Sequence, residues 1–266
     1  MSLREISKEP FQSDEERVAD VLLELGALLH ASGAHCGRVT RNLERVALQW
    51  GYRMELFLTF SGLMISLFPE NKRAARVSRF KRSPAPTLHF GIVTEISLLS
   101  WRVVEENLPV EAVEKELERI KRTPHYPRWV ALSGIGAACA CLCLLLGGDL
   151  WDAGFTFTAS ICGLFVRQQV VEYRFNPMIG VMAAAFVTTS IAGLDLIAGW
   201  GHSPEKALAA AVLYLIPGVP LINCVIDLME GNILPAVARG VFGGFVLLCL
   251  AVGMTLGIAL WGVQHF

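Results

Sequence analysis

Ile216-Pro217-Gly218-Val219-Pro220-Leu221 interrupts an apolar run, Ala207 to Ile226, that is long enough to cross a bilayer. Proline lacks the N–H of an internal helical turn, and its ring clashes with the preceding turn. Two prolines around a glycine therefore predict a broken or sharply kinked span. Broken backbone at membrane depth is tolerated only where protein buries it or a watery cavity meets it, and such breaks recur where transporters bind their substrates. A helix restarting near Leu221 presents unpaired N–H groups and a positive dipole end, a seat for a carboxylate. Pro217, Gly218, Val219 and Pro220 are thus candidate substrate-binding residues. Asn223 and Asp227 follow at i, i+4 spacing on one helical face. Asn223 donates and accepts hydrogen bonds. An ionisable group at membrane depth is a functional candidate by default, so Asp227 is a candidate carrier of a coupling proton. The structural alternative has Asp227 at the cytoplasmic end, capping a helix or pairing with Arg239. Asp195, beside Thr188, Thr189 and Ser190, is a second candidate proton relay; the alternative places it at an outer mouth near Gly199-Trp200. Asp149 and Asp152 read as caps of the helix that follows them.

Other chemistries find little support. Cys139, Cys141 and Cys143 alternate, and positions two apart on a helix point about 200° apart, so the three thiols do not converge on a metal and read as small apolar packing. His30, His35, Cys36 and His89 fall in the N-terminal region without a Gly-x-Ser-x-Gly or other nucleophile signature. Neither Asp195 nor Asp227 sits in a Gly-x-Gly-Asp context of an intramembrane hydrolase. No Gly-x-x-x-x-Gly-Lys-[Ser/Thr] phosphate loop occurs. The chain reads as no enzyme, with no cofactor and no metal. A net charge of −1 gives no footing for a nucleic-acid partner.

The elements that position these residues fall into two regions. Beyond residue 126 the only basic side chains are Arg128, Arg167, Arg174, Lys206 and Arg239, whereas residues 1–126 are of ordinary charged composition. In that head, Val18, Val21, Leu22, Leu25, Leu28 and Leu29 predict an amphipathic helix over 14–31, and a second runs from Cys36 to Trp50. Met54 to Phe60 alternates, Ser61-Gly62 turns, and Leu63 to Phe68 follows, predicting a β-hairpin. Arg73–Phe80 is a candidate third strand. Helices are expected from Thr94 to Asn107 and from Val110 to Lys121. The basic run Lys72, Arg73, Arg76, Arg79, Lys81, Arg82 reads as a solvated face, with anionic lipid headgroups as the alternative contact. Spans are expected over 129–146, 150–166, 177–200, 207–226 and 236–263, the second of weak hydropathy. The fold class is an α-helical integral membrane protein with about five transmembrane helices, preceded by a small soluble α+β N-terminal domain, divided as 1–126 and 127–266. The first twenty residues lack an apolar signal core. Arg119, Lys121, Arg122 and Arg128 before the first span, Arg167 and Arg174, and Arg239 place the head in the cytoplasm and the C-terminus outside, with the loop that carries Lys206 as the one that does not fit.

The segment from Ala31-Ser-Gly-Ala-His-Cys-Gly-Arg-Val-Thr-Arg to Gly51 resembles the signature helix pair of the threonine/serine exporter family. Ile216-Pro-Gly-Val-Pro-Leu-Ile-Asn, then Asp227-Leu, Gly231 and Ala238-Arg239-Gly240, is similar to that family's most characteristic membrane motif, and Gly147-Gly148-Asp149 fits its first external loop. Single-chain members continue into a second membrane half, whereas this chain stops at Phe266. The resemblance is therefore to the split form, in which a YjjP-type large subunit works with a small multi-span membrane subunit (YjjB-type). That resemblance implies secondary export of a small carboxylate, succinate, across the bacterial inner membrane, driven by an ion gradient. Threonine or serine is the alternative substrate, and a regulatory or assembly subunit without transport is the alternative of another class. A dicarboxylate would favour a second cationic contact, for which Arg239 is the candidate.

Overall fold

The computed structural model describes residues 14–69, 76–84, 87–124 and 126–260, and of residues 196–198 the backbone only. It divides into two compact units, Met1–His125 with Val219–Gly240, and Tyr126–Gly218 with Val241–Phe266. Residues 219–240, expected in the membrane region, cluster with the N-terminal residues.

In the first unit, α1 (Asp14–Ala31) begins on three acids that complement its dipole, Asp14, Glu15 and Glu16. The helix α2 (Cys36–Gln49) buries Val39, Leu43, Val46 and Ala47 on one face. Gly51, at φ +79°, takes the left-handed turn that ends it. Strands β1 (Tyr52–Leu58), β2 (Gly62–Pro69) and β3 (Val77–Arg82) form an antiparallel meander in the order β1-β2-β3. The register pairs Leu56 with Ile65 and Ile65 with Arg79. Period-2 alternation turns Leu63, Ile65 and Leu67 inward against α1. The expected hairpin is present, and the third strand is described over Val77–Arg82; Arg73, where the expected strand starts, lies outside the described residues.

Helix α3 (Phe90–Glu105) starts four residues before the expected Thr94, because the His89 side chain accepts from Ile92 N–H and caps it. Helix α4 (Val110–Lys121) follows Pro109 as expected. The basic face of β3 is not a bare cation patch. Arg79 pairs with Glu16 and Asp20, and Lys81 pairs with Glu24.

The second unit holds α5 (Arg128–Leu145), α6 (Leu150–Glu172), α7 (Pro177–Ala198), α8 (Pro204–Ala211) and a short 3₁₀ turn, Leu213–Leu215. Helices α9 (Gly218–Met229) and α10 (Ile233–Leu260) cross the unit boundary in sequence. Small residues let backbones approach. A Cβ on Gly163 of α6 would meet Thr188 Oγ1, the Tyr214 hydroxyl and, at 3.0 Å, the Ala184 carbonyl. One on Gly257 of α10 would lie 3.1 Å from the Phe186 carbonyl. Thr156 and Ser160 of α6 donate to the Ala207 and Ala211 carbonyls of α8 at 3.2 and 3.1 Å.

Among the described residues, three helices are long and apolar enough to cross a membrane, Arg128–Leu145, Pro177–Asp195 and Ile233–Leu260; Pro204–Leu215 with Gly218–Met229 makes a fourth if the broken pair is one span. Helix α6, the second of the five expected spans, is long enough at 23 residues. Its hydroxyl residues Thr156, Thr158 and Ser160 and its polar Arg167-Gln168-Gln169 stretch keep it less apolar than those three.

Candidate functional site

The expected break is present, and its details matter. Ile216 is extended, Pro217 follows, and α9 begins at Gly218 rather than near Leu221. Pro220 therefore lies in the first turn of the new helix, where a missing N–H costs nothing. One helical turn further on, Asn223 is buried and its Nδ2 donates to the Gly33 carbonyl at 2.8 Å. Because that partner is a carbonyl, the amide orientation is fixed and Asn223 Oδ1 points elsewhere.

Asp227 is fully buried and has donors on both oxygens. Cys36 N–H donates to Oδ1 at 2.7 Å, and Arg239 Nη1 donates to Oδ2 at 2.7 Å. Arg239, 6 % exposed, also donates from Nη2 to the Ala34 carbonyl at 3.1 Å. The pairing with Arg239 that the sequence left as an alternative is thus the geometry found. Arg239's guanidinium is committed to an internal carboxylate.

One turn along from Asp227, Glu230 accepts from Gly37 N–H at 3.1 Å and lies 3.3 Å from His35 Nδ1 and 3.2 Å from Arg41 Nη1. Two carboxylates three residues apart thus meet the first N–H groups of α2, where the helix dipole favours negative charge.

His35, Asp227 and Glu230 place their ligand atoms within 4.8 Å of one another. The donor types suit a cation, but both Asp227 oxygens are already hydrogen-bonded and two guanidinium groups face the cluster, so it is an ion-pair network. The Cys/His set does not converge on a nucleophile either. Burial pushes the Cys36 thiol up to about 12, with Asp227 and Glu230 adding to it. His89 is a helix cap. His30 is buried against Ser83 at 3.1 Å, and burial first, then the charge of Arg239, lowers its pKa to about 4.

The second unit holds a separate acidic cluster. Asp149 and Asp152 form a capping box at the start of α6, each accepting from the other's backbone N–H at 2.8 Å. His202 Nδ1 lies 2.6 Å from Asp149. The Asp152 N–H first, then His202, holds Asp149 down to about 2, and Asp149 in turn raises His202. Asp152 and Asp195 are both fully buried. Gly201 N–H donates to Asp195 Oδ1 at 3.0 Å, while Asp195 Oδ2 has no hydrogen-bond partner among the described residues. A Cβ on Gly201 would run into Asp152 Oδ1 and both Asp195 oxygens, so the two carboxylates face one small space. Thr188 meets the Tyr214 hydroxyl at 3.0 Å, and Ser190 donates to its own helix at Phe186.

Sequence reasoning paired Asn223, Asp227 and Arg239 but missed their partners, the Gly33-Ala34-His35-Cys36 linker and Glu230. Those contacts join residues 189 to 205 positions apart, and no local spacing encodes them.

Helices of membrane length, one helix pair broken at Pro217 and a buried carboxylate–guanidinium pair are features of a multi-pass membrane protein. The family described as "Putative threonine/serine exporter" matches residues 20–261, and the chain belongs to that family of exporters. The chain is 35% identical over 179 residues to the "Probable succinate transporter subunit YjjP" of Klebsiella aerogenes, covering 66% of this chain and 69% of that one. It is 28% identical to the protein of the same name from Escherichia coli K12, over 95% of this chain and 98% of that one. The "Probable threonine/serine exporter" of Mycobacterium tuberculosis is 23% identical over 94% of this chain, which spans 47% of it. No solved structure matches the chain.

Proposed function

We propose that this chain is one subunit of a secondary exporter that moves small carboxylates out across the bacterial inner membrane, with succinate as the substrate. The observation that carries the substrate is the near end-to-end similarity to a chain named as a succinate transporter subunit. Threonine or serine is the second reading, supported by the exporters of those amino acids among the relatives. The word "subunit" in the relatives' names supports a partner, which we take to be a small multi-span YjjB-type membrane protein. A regulatory or assembly role without transport is the reading of another class.

In this proposal, Pro217, Gly218, Val219 and Pro220 form the broken backbone that meets substrate, and Asn223 contributes amide hydrogen bonds. Arg239 is available to a substrate carboxylate only when Asp227 lets it go. A proton on Asp227 would weaken that pair, which links proton movement to binding. Asp195, facing Asp152 with one oxygen unpartnered, is the second proposed proton carrier. Helix α6 completes a five-span body with the head in the cytoplasm and the C-terminus outside.

The test is efflux from cells lacking this chain and its partner, re-expressing each alone and both together, with succinate, threonine and serine compared side by side. Succinate efflux restored only by the pair is the expected outcome. Efflux of none of the three in any combination would leave the non-transporting role.

A further inference from the structure

We propose that Arg38 of α2, a residue of the head outside the broken helix, takes a carboxylate of the exported substrate in a cavity it shares with Asn223. This inference rests on the export reading above.

The cavity, about 240 Å³, lies within the first unit. Its apolar walls are Phe90, Val93, Val219 and Ile222, and its polar side chains are His35, Arg38 and Asn223. A short carbon chain with charged ends matches that division of polar and apolar surface. Among the described residues, no acidic side chain lines it.

A second cavity, about 280 Å³, shares His35 and Arg38 and is also lined by Arg41, Arg45 and Trp101, again without an acid. Arg38, Arg41 and Arg45 stand at i, i+3 and i+7 on one face of α2, where like charges destabilise a helix. Two of the three are occupied. Arg41 pairs with Glu230 at 3.2 Å. Arg45 donates to Ser100 Oγ at 2.6 Å and stacks 3.7 Å from the Trp101 ring centre. The side chain of Arg38 has neither a carboxylate nor a hydrogen-bond partner among the described residues.

Arg239, the cation expected from sequence, is held by Asp227 and the Ala34 carbonyl. Arg38 is therefore the available guanidinium on the cavity that reaches Asn223. A guanidinium offers a carboxylate two parallel hydrogen bonds that an ammonium cannot reproduce. The same helix already holds two internal carboxylates, those of Asp227 and Glu230, at its N-terminus, so its surroundings suit that chemistry.

The experiment titrates succinate into the full-length chain in lipid nanodiscs by calorimetry, with Arg38→Ala, Arg38→Lys and, as a control arginine outside the cavity lining, Arg102→Ala. Arg102 pairs with Glu106 and Glu116 and lines neither cavity. Efflux is measured for the same variants in cells with the partner subunit. The expected result is saturable binding to the wild type, weakened at least about tenfold in Arg38→Ala. Binding to Arg38→Lys is expected to be intermediate, binding to Arg102→Ala unchanged, and the melting temperature common to all four. Wild-type binding and efflux in Arg38→Ala, or equal weakening in Arg102→Ala, overturns the role of Arg38 and leaves the export reading standing. Inorganic phosphate displacing succinate as well as succinate itself overturns the carboxylate assignment. A wild type that neither binds nor exports succinate, threonine or serine overturns the export reading, and this inference with it.

Discussion

Asp227 and Arg239 are both buried and hold each other at 2.7 Å. Removing one partner of such a pair strands the other charge away from water and typically costs about 3–5 kcal/mol. Arg239→Gln is therefore expected to lower the thermal stability of the purified chain strongly, and adding Asp227→Asn should recover part of the loss. A melting temperature unchanged by Arg239→Gln would show that the pair does not hold the unit together. His30 gives a pH prediction. Its folded pKa of about 4 lies below the ordinary 6.5, so the folded state favours the neutral ring. That contribution is fully present above pH 6.5 and is lost as pH falls from 6.5 through about 4, amounting to about 3 kcal/mol. Unfolding measured from pH 7 to pH 4 should show this decline, and His30→Leu should flatten it. His202 behaves in the opposite sense, because its pKa is raised: its contribution is complete below pH 6.5 and fades as pH rises past the raised value, whereas that of Asp149, which is depressed, is lost as pH falls from about 4 through about 2.

Helix packing in the second unit depends on where glycine stands. Gly163 faces the Thr188 and Tyr214 hydroxyls and the Ala184 carbonyl, two hydroxyls and a backbone atom that leave a methyl group no room. Gly163→Ala is expected to cost about 1–3 kcal/mol through overpacking. Gly134 lies in the interior of α5, and a Cβ added there would meet nothing within 4 Å. Gly134→Ala should instead stabilise by about 0.5–1 kcal/mol, from helix propensity alone. Melting curves of the two variants side by side check this, and a penalty for Gly134→Ala in the presence of the partner subunit would mark that face as a contact. Pro220 belongs at the same scale. Sequence logic treats it as part of the break, but the helix restarts at Gly218 and tolerates it in the first turn.

For the whole molecule, the proposed orientation has direct consequences. In a variant freed of native cysteines, a cysteine replacing His202 should react with a membrane-impermeant maleimide in intact cells. A cysteine replacing Glu118 should react only after permeabilisation. The reverse pattern would invert the proposed topology. Helix α9 leaves Ile222, Val225, Leu228 and Met229 exposed along one side, and α10 leaves Val237, Val241, Leu248 and Leu256 exposed. These apolar faces suit lipid or a second membrane subunit, in keeping with the relatives named as subunits.

The head's helices and hairpin were legible because each follows from a local period, 3.6 residues for Val18 to Leu29 and 2 for Met54 to Phe60. The break at Pro217 was equally legible, because a missing N–H acts within one helical turn. The capping box at Asp149 and Asp152 needed only neighbouring residues. Tertiary structure alone decided which groups those elements bring together. Asp227 meets Cys36, Asn223 meets Gly33 and Arg239 meets Ala34 across separations that no local spacing encodes. That closure draws residues 219–240 into the head's unit, occupies Arg239 and leaves Arg38 available. Local spacing determines which side chains share a face. Long-range packing determines what each face touches, and hence which charge is already satisfied and which still awaits a ligand.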